Sequence, residues 1–184
     1  MISKYNHIIF CFVVLLAGFL FPLNGCAQTA DEYLRQGIAH DQQRKFIEAI
    51  ADFSKAIELK PDWAKAYISR AYIYGRRGDY DKAIRDCNKA IELDPKVAYA
   101  YGLRAHIDII KMDYDAAITD ASQAIELNPK FAAAYHFRAF AYQREHKFSQ
   151  AISDYKEAIV LDPKDDQART SLRQVLEFSS LSTT

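Results

Sequence analysis

Prolines stand at positions 61, 95, 129 and 163, each 34 residues after the one before. The residues leading into them keep the same step, reading AIELKP, AIELDP, AIELNP and AIVLDP. Ala49, Ala83, Ala117 and Ala151 share the interval, as do the aromatics Phe46, Tyr80, Tyr114 and Phe148. A period of this length means a row of similar supersecondary units. One such unit cannot bury its own apolar face, so the chain must stack its neighbours to make a core.

With each proline set at position 32, four repeats run over residues 30–63, 64–97, 98–131 and 132–165, together 136 of 184 residues. Position 8 is small (Gly37, Ala71, Ala105, Ala139), and positions 20 and 27 are alanine in every repeat. Small residues there let two antiparallel helices approach closely, and the aromatics at positions 4 and 17 fill the space beside them. The proline lacks an N–H and cannot extend a helix, so it marks the turn into the next repeat. Within a repeat the apolar spacing predicts two helices, for example over 64–77 and 80–93. Residues 165–178 carry Ala168, Leu172, Val175 and Leu176 on one side and are expected to form a capping helix; 179–184 read as a polar tail. This pattern resembles the tetratricopeptide repeat. The resemblance implies an all-α fold, an α-solenoid of tandem antiparallel helix pairs.

Residues 1–26 have a different character. Lys4 is their only charged residue, and 8–21 (IIFCFVVLLAGFLF) carry no charge. A basic start, a short apolar run and small residues are the marks of a secretory signal peptide. The run is short for a membrane span, which takes about 20 residues, so an uncleaved anchor is the weaker reading. Leu23-Asn24-Gly25-Cys26 resembles a bacterial lipobox, with Asn24 departing from it, which would put a lipid on Cys26. The rival is ordinary cleavage after Ala27. The expected address is outside the cytoplasm: an exported protein of the cell envelope, lipid-anchored, or else periplasmic or secreted.

The whole chain has 24 basic and 24 acidic residues. That balance argues against nucleic-acid binding through a basic field. Three cysteines are too few for a disulfide framework. Cys87, in place of the aromatic at position 24, reads as a small core residue. Position 23 is aspartate in every repeat (Asp52, Asp86, Asp120, Asp154), while position 7 is Gln36, Arg70, Arg104 and Arg138. Three stacked arginines could form an anion site, but each has its own aspartate, which favours structural ion pairs.

The chain contains no Gly-rich phosphate loop, G-x-S-x-G, C-x-x-C or H-E-x-x-H. No catalysis and no cofactor are therefore expected. His106 and His136 fall on neighbouring first helices, but two histidines without a third ligand make a poor metal site.

In the family it resembles, the first helices line a groove and ligand contacts come from positions 2, 5, 6, 9, 12 and 13. Carried onto this chain, these give a candidate groove of Lys65, Ile68, Tyr72 and Arg76 from the second repeat, Tyr99, His106 and Ile109 from the third, and His136, Phe140 and Arg144 from the fourth. Leu103 and Phe137 could instead pack between first helices. The carboxylate clamp that captures chaperone C-termini is absent: its positions hold Leu34, Ile38, Ser69, Tyr99 and Leu103 in one register, and Ile68, Tyr72, Leu103, Ala133 and Phe137 in the other. The expected partner is a protein or peptide segment held by aromatic and aliphatic side chains. The alternative is self-association through terminal faces near Phe178.

Overall fold

The computed structural model describes residues 28–181. Among them are nine helices: α1 (Ala30–Gln42), α2 (Phe46–Leu59), α3 (Ala64–Arg76), α4 (Tyr80–Leu93), α5 (Ala98–Ile110), α6 (Tyr114–Leu127), α7 (Ala132–Arg144), α8 (Phe148–Leu161) and α9 (Asp166–Leu181). No helix among the described residues is long and apolar enough to cross a membrane. The readings placed on residues 1–26 lie outside the described residues.

Local chemistry sets the boundaries. Thr29 begins α1 with a reciprocal cap: the Glu32 N–H donates to its hydroxyl at 3.3 Å, and its own N–H donates to the Glu32 carboxylate at 2.8 Å. Before three of the prolines, Asp94, Asn128 and Asp162 each accept from the backbone N–H two residues on, at 3.0–3.1 Å, closing the turn. The Tyr67, Tyr101 and Tyr135 hydroxyls donate to the carbonyls of Pro61, Pro95 and Pro129. From the second repeat on, the aromatic at position 4 therefore ties its repeat to the turn before it.

Small residues do the packing that their spacing implied. The alanines at positions 20 and 27 are all 0 % exposed. A Cβ on Gly37 would overlap the Phe53 ring, so that repeat trades a larger position 24 for a glycine at position 8. Positions 3 and 10 are also buried from the second repeat on, as Ala66 and Ile73, Ala100 and Ile107, and Ala134 and Ala141. They face the preceding repeat's second helix. α9 keeps this register through buried Ala168 and Val175, so it packs as the first helix of a fifth repeat.

Two of the sequence expectations shift here. Asp165 precedes α9 and accepts from the Ala168 N–H at 2.9 Å, so it caps the helix rather than opening it. α9 also runs to Leu181, into residues expected as a tail.

The first helices touch one another along the stack (α1 to α3, α3 to α5, α5 to α7, α7 to α9). Among the described residues, the second helices touch only first helices. An inner layer in mutual contact and a splayed outer layer make the first-helix face the concave one.

Candidate peptide-binding groove

Three arginines fasten the walls of this face. Arg70, Arg104 and Arg138 each make a two-pronged contact with the aspartate of their own repeat, Asp86, Asp120 and Asp154, at 2.5–2.9 Å. These hydrogen bonds raise the arginine pKa values above their already high ordinary value. The third guanidinium nitrogen reaches into the preceding repeat, to Ser54, Asn88 and Ser122 at 2.5–3.1 Å. The arginines are thus consumed as staples within and between repeats. In the first repeat, where position 7 is Gln36, His40 takes over and lies 2.6 Å from Asp52.

The open side of the inner layer holds three adjoining cavities. The first, about 90 Å³, lies between α3 and α5 and is bordered by Tyr72, Gly75, Arg76, Leu103, His106 and Ile110. The second, about 160 Å³, is walled by the rings of Tyr72, Tyr99, His106, Phe131 and Phe137 above Gly102 and Ala133. The third, about 210 Å³, is bordered by His106, Ile109, His136, Phe137, Phe140 and Gln167. His106 borders all three. Its ring lies 4.9 Å from Phe137, 12° from parallel. Burial, and then the neighbouring His136, hold the His106 pKa below the ordinary imidazole value.

His136 is anchored differently. Its Nδ1 lies 3.0 Å from Asp165 and its ring meets Tyr155 edge-on at 5.6 Å. Burial alone would push the Asp165 carboxyl up, but the Ala168 N–H and His136 outweigh it and hold the pKa down. His136 thereby couples the groove to the α9 cap.

Seven of the ten expected groove residues border these cavities: Tyr72, Arg76, Tyr99, His106, Ile109, His136 and Phe140. Arg76 is already engaged, paired with Asp41 and lying over the Phe46 ring at 4.6 Å. Ile68 is a correction: it is 8 % exposed and packs with Ala90 and Ala100 in the interior. Lys65 is exposed but borders none of the three cavities. Arg144 donates to the Tyr114 hydroxyl at 3.1 Å and borders a separate cavity beside Phe178. Leu103 packs into the interior while bordering the groove, and Phe137 borders the groove while stacking on His106 of the neighbouring first helix. Ile107, Phe131 and Gln167 also border the cavities, although the sequence pattern does not point to them. Phe131 lies in the turn before α7, outside the six contact positions, and Gln167 belongs to the cap, which the groove assignment did not extend to.

Cys87 is fully buried, and burial pushes its thiol up to about 12, far from a reactive thiolate. Among the described residues, no three His, Cys, Asp or Glu side chains gather as a metal site needs.

Three sequence profiles, each described as tetratricopeptide repeat, match residues 30–62, 64–97, 98–131 and 132–165. The chain belongs to the tetratricopeptide repeat family. No curated protein matches it. Among solved structures it is similar to the MamA protein, at 24 % identity over 83 % of each chain with a TM-score of 0.72. It is similar to PilF of Pseudomonas aeruginosa at 18 % identity, over 82 % of this chain and 69 % of that one, TM-score 0.76. At these identities the likeness is one of fold. The first repeat domain of Spaghetti (RPAP3), solved with the HSP90 peptide SRMEEVD, is 26 % identical over 64 % of this chain and 93 % of that one, TM-score 0.62.

Proposed function

We propose that this chain, whose fold is that of a protein–protein interaction scaffold, works without catalysis, holding a partner's peptide segment in the groove between Tyr72 and Phe140. The observation that carries this reading is the row of three cavities sharing His106. Each is smaller than the roughly 300–1,000 Å³ of small-molecule sites and suits single side chains presented in sequence along a segment. The RPAP3 domain shows the same fold bound to a peptide, but that peptide is acidic. Here the clamp positions hold Leu34, Ile38, Ser69, Tyr99 and Leu103, so apolar side chains are the fitting cargo.

We further propose that the scaffold works at a bacterial cell envelope, held by a lipid on Cys26 or by the N-terminal segment itself. The support is the order basic start, apolar run and lipobox-like Leu23-Asn24-Gly25-Cys26. Self-association is the second reading, favoured by Phe178, 57 % exposed beside a cavity of about 280 Å³.

The test is a crosslinked pull-down from native envelopes with wild type and a Tyr72→Ala, His106→Ala, Phe140→Ala variant shown to fold by circular dichroism. A partner lost only in the variant supports the groove. Unchanged partners reject it.

A further inference from the structure

We propose that the middle cavity is a cup for one uncharged aromatic side chain of the docked segment, and that Gly102 keeps the cup open. The proposal rests on the groove reading and names what enters its centre.

Size comes first. The cup holds about 160 Å³. An apolar cavity of roughly 150 Å³ accepts one benzene ring. The walls come next: the rings of Tyr72, Tyr99, Phe131 and Phe137 and the imidazole of His106 offer faces and edges for stacked or edge-on contact. Charge decides between a ring and a cation, since aromatic walls can take either. The titratable cationic groups bordering the three cavities are Arg76, His106 and His136, and no carboxylate side chain borders them among the described residues. None of the side chains lining the cup itself is a carboxylate, and Asp41 and Asp165 are already engaged by Arg76 and His136, so a cation would find no free counter-ion there, whereas a neutral ring needs none.

Gly102 explains how the cup exists. It sits at position 5, where the other repeats carry Leu34, Ile68 and His136. A Cβ at Gly102 would lie 2.6 Å from Phe131 Cε1 and 3.0 Å from its Cζ, closer than atoms can rest. The missing side chain is the seat of the Phe131 ring, which stacks on Tyr99 at 6.1 Å and forms one wall. Any larger residue at 102 must displace that ring.

The experiment titrates N-acetylphenylalaninamide into the full ¹⁵N-labelled chain and follows the amide resonances. Expected are saturable shifts centred on Gly102, Ala133 and Phe137, with affinity at least tenfold weaker in Ala133→Leu, which fills the cup while leaving the Phe131 seat intact. Gly102→Ala should weaken binding too; Ala133→Leu keeps the test valid if Gly102→Ala does not fold. Tetramethylammonium should give no saturable shift. The proposal is overturned if folded wild type shows no saturable shift at these residues, if Ala133→Leu binds equally well, or if tetramethylammonium binds there. Loss of the partner in the pull-down without probe binding sinks the cup alone. Probe binding with an unchanged pull-down sinks the groove reading.

Discussion

His106 lies flat on Phe137, with ring centroids 4.9 Å apart and planes 12° from parallel. Burial and His136 lower the pKa of that imidazole in the folded chain. Above about pH 6.5 both folded and unfolded states hold it neutral, and its contribution to stability is whole. As the pH falls below that value, the unfolded chain takes the proton first. Stability therefore drops until the folded pKa is passed. We expect the His106 Cε1 proton to titrate below pH 6.5 by NMR, and His106→Phe to lose less stability than wild type between pH 7 and 5. Titration at or above 6.5 contradicts this.

Asp108 behaves in the opposite sense. It occupies position 11, where Tyr74 and Tyr142 lie against Arg70 and Arg138 and where His40 meets Asp52. Half-burial, and then repulsion from Asp120, raise the Asp108 carboxyl from 3.8 to about 6. A raised carboxyl favours the folded state below the unfolded pKa, and that advantage disappears as the pH rises through 6. Asp108→Asn should gain on the order of 1 kcal/mol at pH 7.5, once solvent screening of a half-exposed group is discounted. The gain should vanish by about pH 4. Denaturant melts at the two pH values measure it; an equal gain at both would point to packing instead.

The turns between paired helices store strain. Position 15 has positive φ in every repeat: Arg44 at 58°, Gly78 at 80°, Met112 at 63° and His146 at 61°. Glycine takes this conformation freely, and the other three do not. Arg44→Gly, Met112→Gly and His146→Gly should each stabilise by about 0.5 kcal/mol, glycine's extra unfolded-state freedom offsetting part of the relief. Gly78→Ala should destabilise by about 1 kcal/mol. Thermal melts of the four variants decide it by sign.

Arg104 binds Asp120 with two nitrogens and Asn88 with a third. Asp120 is only 7 % exposed. Arg104→Met strands a buried carboxylate and should cost about 3 kcal/mol. Arg104→Met with Asp120→Leu should recover most of that loss, because no charge is left buried alone. If the double variant is no better than the single, the staple between repeats outweighs the burial of charge.

The solenoid was legible because its packing rules recur every 34 residues. The pairing of Arg104 with Asp120 could be read from the same register. Its reach to Asn88 recurs with the same period, since Ser54, Asn88 and Ser122 each stand 16 residues before their arginine, but a period alone does not say which positions of neighbouring repeats meet. Ile68 shows a related limit: position 5 is buried in every repeat (Leu34, Ile68, Gly102, His136), and Ile68 packs with Ala90 and Ala100 rather than opening to the groove. Phe131 entered the groove from a turn because Gly102 left it space, a compensation visible only in three dimensions. Arg44, Met112 and His146 adopt a glycine-like turn without being glycine, because the helices on either side dictate the backbone there.

We propose that the concave face between α3 and α7 holds the partner. The most direct measurement places a photoreactive p-benzoylphenylalanine at one position at a time, in folded single variants. Tyr99 and Phe140 report on the groove, and exposed Lys55 and Glu157 on the outer helices α2 and α8. Irradiation in cells that make the protein should join the same partner to positions 99 and 140 and leave 55 and 157 unlinked. A partner captured from 55 or 157, with none from 99 or 140, would place binding on the convex face and contradict the account.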